Sequence, residues 1–171
     1  MIDATQTENL HGTEAIKKLK ALVATESICM FTTNLSQRPL STRPMATQEV
    51  DDDGNFWFFS AKSSDKNLDI ANDAAIQLFY SHTTSSEYLS VYGKASVVID
   101  KGKAKQLWTS WAKAWFKEGV DDPELTLIKV EPTHSYFWDT KNNKMVSMLK
   151  ILASVVTGQS ADDSLQGSLK V

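Results

Sequence analysis

Between Ser27 and Trp138 the chain is a succession of short β-prone runs punctuated by turn residues. That pattern limits the fold more than any other feature of the sequence. Ser27 to Thr33 is one run. Leu40 to Val50 is the next, followed by Asp51-Asp52-Asp53-Gly54-Asn55, a strong turn signal, and then by the aromatic run Phe56-Trp57-Phe58-Phe59. Leu40 to Ser60 therefore reads as a hairpin. Ile76 to Ser81, Tyr88 to Ile99 and Leu125 to Val130 complete the set, the last continuing past Pro132 through Ser135 to Trp138. Gly93, inside the Tyr88 run, marks a bulge or a close backbone approach.

Helical periodicity occupies the spaces between these runs. Ile16, Leu19 and Val23 recur at spacings of three and four over residues 13–24, with Lys17, Lys18 and Lys20 opposite and Thr13 as N-cap. Ser63 and Ser64 open a short helix that carries Asp65 in its first turn. Residues 102–117 predict one helix with Leu107, Trp108, Trp111, Trp115 and Phe116 on a single face, a stripe of the kind that forms core or interface. A last helix is expected over 144–157 and a loose polar tail over 159–171. Strands do not alternate regularly with helices, which disfavours a parallel doubly wound sheet. The pattern predicts a mainly β protein: an antiparallel barrel of about six strands with peripheral helices.

Charge narrows the function. The net charge is −3, so there is no basic surplus for nucleic acid. Only Arg38 and Arg43 are arginines, and any site that needs a guanidinium fork must use one of them. Cys29 is the single cysteine, set in an apolar run, and reads as a buried small hydrophobe. The N-terminus lacks the pattern of a signal peptide, and Met145 to Val156 falls short of the ~20 residues that span a bilayer. The expectation is a cytoplasmic protein without a membrane partner. His82 and His134 have no ligand-spaced partners, and Asp51-Asp52-Asp53 lacks the closing glutamate of a calcium loop, so no metal site and no catalytic side chain are expected.

One constellation carries chemistry. Phe59-Ser60-Ala61-Lys62-Ser63-Ser64-Asp65-Lys66 runs from the end of an aromatic strand into a helix N-terminus, where free N–H groups attract anions. Three hydroxyls, two lysines and Arg43 from the neighbouring strand add donors suited to a phosphate. The competing reading is a capped helix with solvated lysines.

These residues resemble the pyridoxamine-phosphate-oxidase-like FMN-binding split barrels, and most of all their general-stress-protein branch. Arg43-Pro44-Met45 stands where that family has its strand motif, Phe58-Phe59-Ser60 where it has a strand end, and Ser64-Asp65-Lys66 at its helix start. Tyr136-Phe137-Trp138-Asp139 resembles the branch's closing strand. The resemblance covers roughly residues 12–158 and implies an FMN-binding split-barrel domain over 13–158, preceded by an extension over 1–12.

By the resemblance, Arg43, Ser64 and Lys66 bind the FMN phosphate. Pro44, Met45, Phe59 and Ser60 contact the ribityl chain or the ring, partly through backbone. Trp138 approaches the flavin from a partner subunit, because the family's site lies at a homodimer interface. FAD and a deazaflavin are the alternatives to FMN. The implied function is that of a small flavin-dependent oxidoreductase in a stress setting, acting on a small-molecule redox substrate. A flavin-binding or sequestering module without turnover is the alternative. Two departures stand out. The oxidases proper have Ser-Arg-Lys at the helix start, and Asp65 here weakens an anion site; Gln48 stands where their strand motif ends on a basic residue. No arginine follows Arg43, so the clamp that holds pyridoxal phosphate in the oxidases is missing and that reaction is not expected.

Overall fold

The computed structural model describes residues 6–140 and 164–171. Two short strands, β1 (Gln6–Thr7) and β2 (Leu10–His11), lead into helix α1 (Gly12–Thr25). There follow β3 (Ile28–Thr33), β4 (Ser41–Val50), β5 (Phe56–Ala61), α2 (Asp65–Asn72), β6 (Ala75–His82) and β7 (Glu87–Val98). Helix α3 (Lys101–Leu107), β8 (Leu125–Thr140) and β9 (Ser164–Lys170) complete the described chain. The expected helix over 144–157 lies outside the described residues.

Six antiparallel strands close a barrel in the order β8-β5-β4-β3-β6-β7, with β7 returning to β8. This is the mainly β split barrel with peripheral helices that the sequence pattern and the resemblance predict. Alternation places Phe31, Phe56, Phe58, Leu78, Val91, Ile128 and Phe137 inside, all fully buried. Phe31 and Phe58 meet edge to face at 5.2 Å. Helix α1 lays Ala15, Leu19, Leu22 and Val23 on this core. Its N-cap is His11 in extended conformation rather than Thr13, which lies inside the helix.

The long strand β8 changes partner halfway. One edge pairs with β7 from Leu127 to Trp138, while the other pairs with β5 over Leu125–Val130 and then with β9 over Ser135–Thr140. Pro132 lies at the changeover and has no N–H to donate, which suits a point where a ladder ends. The register against β7 also shifts here, between Tyr92 and Gly93. A Cβ on Gly93 would lie 2.4 Å from the Glu131 carbonyl, so the close approach requires glycine.

Two expectations are corrected. Residues 164–170 are strand β9, not loose tail: Leu165 and Leu169 alternate with Gln166 and Ser168, and Leu169 enters the core. The Trp-rich segment is not one helix. Helix α3 ends at Leu107; Trp108 and Thr109 are extended, and a 3-10 turn covers Ser110–Ala114. The break lets Leu107, Trp108 and Phe116 all pack with Trp57 of β5 and Leu125 and Leu127 of β8. It leaves Trp111 and Trp115 outside, 80% and 74% exposed, so these two are not core.

Candidate functional site

The barrel opens at one seam. The β4–β5 ladder begins at the Asp51–Asn55 turn and ends at the pair Thr47–Phe58, after a bulge at Gln48. Beyond that pair, β4 stays with β3 to Ser41 and β5 stays with β8 to Ala61. The two strand edges therefore part, and a wedge opens between Ser41–Ala46 and Phe59–Ala61. Gln48, at the bulge, turns its side-chain amide back to the Ala46 carbonyl at 2.9 Å.

Helix α2 lies across the wide end of this wedge and ties to both lips. On the β4 side, Arg43 Nη1 donates to Thr33 Oγ1 at 2.7 Å and Nη2 donates to Ser41 Oγ at 2.6 Å. The Thr33 hydroxyl in turn donates to Asp69 Oδ2 at 2.6 Å, and that carboxylate lies 3.7 Å from the guanidinium. Arg43 is thereby aimed, not free to swing. On the β5 side a closed ring of polar groups is buried. Ser60 Oγ donates to Asn67 Oδ1 at 2.7 Å, Asn67 Nδ2 donates to Thr126 Oγ1 at 3.0 Å, and Thr126 Oγ1 donates to the Ser60 carbonyl at 2.8 Å. Ser64, the N-cap of α2, stands 3.2 Å from Ser60 Oγ.

Lys66 completes the cluster. Burial, and next the positive charge of Arg43, push its ammonium below the usual lysine range, with Asp65 opposing the shift. The two cations are thus near enough to repel each other, and among the described residues no carboxylate lies within ion-pairing distance of Lys66. In the first turn of α2 the Asn67 N–H donates to the Ser64 carbonyl at 3.0 Å, which leaves the N–H groups of Asp65 and Lys66 without a partner in the helix. This donor set, an oriented guanidinium, an ammonium, a hydroxyl and a helix N-terminus, makes a cradle suited to an anion.

The other sequence-derived residues divide. Met45 points inward and packs against the main core, while Pro44 is exposed on the outer face of β4. Phe59 points away from the wedge and packs against Trp108 and Phe116, so it borders the wedge through its backbone alone. Ser63 is drawn off by Glu124, which accepts from its hydroxyl at 2.6 Å and its N–H at 3.1 Å. Lys62 is exposed and lines a separate cavity of about 250 Å³ with Asp100 and Asp121. Trp138 is paired with Tyr88 across β7 and lies on the half of β8 that has left β5 for β9, with its side chain 40% exposed. It does not join the wedge of its own chain.

Thr33, Ser41, Asn67, Asp69 and Thr126 are site residues that the sequence reading missed. Ser41 was within reach, since it precedes Arg43 by two and shares its strand face. Cys29 is buried, and burial pushes its thiol up to about 12, so it remains protonated and inert.

The outer face of the barrel carries an unusual surface. Register aligns Pro44, Met30, Phe79, Ser90 and Tyr136 in one row across five strands. Ile28, Tyr88, Tyr92 and Trp138 flank it, and all of the large apolar members apart from Tyr136 are at least 38% exposed.

Comparison with known proteins agrees with the fold. The model of a family described as pyridoxamine 5'-phosphate oxidase like matches residues 14–162. Protein bli-3 of Neurospora crassa is 25% identical over 158 residues, covering 86% of this chain and 76% of that protein. A Jannaschia sp. CCS1 protein, given the provisional name general stress protein 26, superposes with a TM-score of 0.73 at 23% identity. The match covers 92% of this chain and 96% of that one. A general stress FMN/FAD binding protein from Xanthomonas citri superposes with a TM-score of 0.65 at 22% identity, over 75% of this chain and 90% of that one.

Proposed function

The chain belongs to the pyridoxamine 5'-phosphate oxidase like family, and from that premise we propose that the wedge between β4 and β5 binds a flavin, FMN in the first place. The observation that carries this reading is the convergence of Arg43 and Lys66 at the N-terminus of α2. Arg43, Ser64 and Lys66 hold the phosphate. The parted edges at Pro44, Met45, Phe59 and Ser60 border the ribityl chain and the ring. Support comes from the Xanthomonas citri protein of similar fold, which is described as FMN/FAD binding.

The exposed apolar row on the outer face is the surface by which two copies pair. Apolar rows of this extent are rare on monomers. Trp138, on the same face, then reaches the wedge of the partner rather than its own.

A bound flavin supplies electron-transfer chemistry, and the protein's part is to anchor, orient and shield. We take the chain to be a small flavin-dependent oxidoreductase. The missing arginines after Arg43 argue against pyridoxamine phosphate as its substrate. One observation favours a binding module without turnover instead. The hydroxyls of Thr33, Ser41 and Ser60 and the carboxylate of Asp69 are all engaged by protein groups, which leaves none of them poised for proton transfer.

Titration of the purified protein with FMN, followed by flavin fluorescence, tests the site. Half-quenching is expected at tens of micromolar or below, about −6 kcal/mol or better. Arg43→Ala and Lys66→Ala should each weaken FMN by about tenfold while leaving riboflavin unchanged. No quenching at these concentrations overturns the reading. Stopped-flow reduction by NADH or NADPH then separates enzyme from module: rapid flavin reduction with transfer to an acceptor supports the enzyme.

A further inference from the structure

The cradle holds its own anion. Asp69 Oδ2 lies 3.7 Å from Arg43 and accepts the Thr33 hydroxyl, with both charged side chains about three-quarters buried. Arg43 and Lys66 are offset by Asp69 within the cradle and by the exposed Asp65 beside Lys66 in the first turn of α2, which leaves the cradle little net positive charge before any ligand arrives. The attraction for a phosphate scales with that net charge multiplied by the phosphate's own. A phosphomonoester carries nearly two negative charges at neutral pH, whereas each phosphate of a diester or pyrophosphate carries one. Removing Asp69's charge would raise the cradle's net charge by one positive unit and so raise the electrostatic reward for the second phosphate charge, while the cost of desolvating that charge would stay the same.

We propose that Asp69 is a specificity-determining residue of the cradle, which lowers its preference for phosphomonoesters and admits singly charged phosphates of the FAD class. The inference rests on the flavin reading above. The surface beyond the cradle is compatible with a ligand that continues outward. Leu68, next to Asp69 on α2, and Leu40, next to Ser41, are both more than half exposed and offer apolar contact to an extended group.

Asp69→Asn keeps an acceptor for the Thr33 hydroxyl and removes only the charge, so the fold is retained. Binding of FMN, FAD and riboflavin is compared in the native protein, in Asp69→Asn and in Asp73→Asn. The last removes one charge from the end of the same helix, where Asp73 caps Ala75. The native protein is expected to bind FMN and FAD within about tenfold of each other. Asp69→Asn should raise the FMN to FAD affinity ratio by about tenfold, with riboflavin unmoved and Asp73→Asn near native. A native preference for FMN far above tenfold, an unchanged ratio in Asp69→Asn, or an equal change in Asp73→Asn overturns the inference and leaves the flavin reading standing. Failure of all three flavins to bind overturns the flavin reading. In that case inorganic phosphate decides the role of Asp69. Greater thermal stabilisation of Asp69→Asn than of the native protein supports it, and no difference rejects it.

Discussion

The indole N–H of Trp57 donates to Asp51 Oδ2 at 2.8 Å, which ties the first barrel hairpin to its own turn. The same carboxylate accepts from the backbone N–H groups of Asp53 and Asn55 and from the Asn55 side chain. Burial alone would raise its pKa, but the Trp57, Asn55 and Asp53 donors together outweigh burial and hold it below the usual aspartate range.

A carboxylate depressed in the folded state stabilises above its unfolded pKa, near 3.9, and that contribution is lost as pH falls through the folded value. Asp51→Ala is therefore expected to lose about 2 kcal/mol at pH 7. The gap from the native protein should close below about pH 4. Urea unfolding at neutral and acid pH measures both; a gap that widens in acid contradicts the assignment.

Asn67→Ala removes the hub of the buried ring. It leaves the Ser60 hydroxyl only its 3.2 Å contact with Ser64 and takes from the Thr126 hydroxyl its donor, and a loss of about 2 kcal/mol is expected. Thermal unfolding reads the loss. Because α2 then loosens from β5, the FMN affinity should also fall, and Asn67→Ala with native affinity would show that the ring does not position the cradle.

Ser135 has a buried hydroxyl with no hydrogen-bond partner among the described residues. Leaving such a group unpaired costs free energy, so Ser135→Ala should be neutral or stabilising, by up to about 1 kcal/mol. A clear fall in melting temperature would reveal an undetected partner, such as an enclosed water.

Met30→Lys and Phe79→Lys place charge in the middle of the exposed row, on adjacent strands in direct register. Either substitution should leave the melting behaviour of the barrel nearly unchanged and convert a dimer to a monomer in sedimentation velocity. A native protein that sediments as a monomer at tens of micromolar contradicts the pairing reading.

Much of the barrel was legible because its strands obey a simple rule of two. Tyr88 to Val98 alternates, Phe56 to Phe59 is an unbroken aromatic run, and the Asp51–Asn55 turn between β4 and β5 carries Asp, Gly and Asn. The same rule hid β9, whose serines and Gly167 look like a tail until Leu165 and Leu169 are seen to share a face. The Trp spacing fitted a helix, yet Thr109 and Ser110 are poor helix residues, and burial of Trp108 and Phe116 on β5 prevailed. Arg43, Ser64 and Lys66 stood out because they are charged or cap a helix. Asp69, Thr33 and Thr126 become site residues only through the register of β3 with β4 and the docking of α2. Neither is written in any local window.

The terminal strands have a kinetic meaning. β9 is held on its far side by β1 and β2, and Ser168 bonds Asn9 across a separation of 159 residues. Gly167 lies so close to Glu8 that a Cβ there would overlap its carbonyl oxygen at 1.7 Å. A contact that spans nearly the whole chain carries a large loop-closure cost and forms late. The barrel, whose hairpins are local, can therefore assemble first, and the clasp then closes over the far half of β8. In native-state hydrogen exchange the clasp is expected to open as a separate unit, below the free energy of global unfolding, leaving the wedge and its cradle intact.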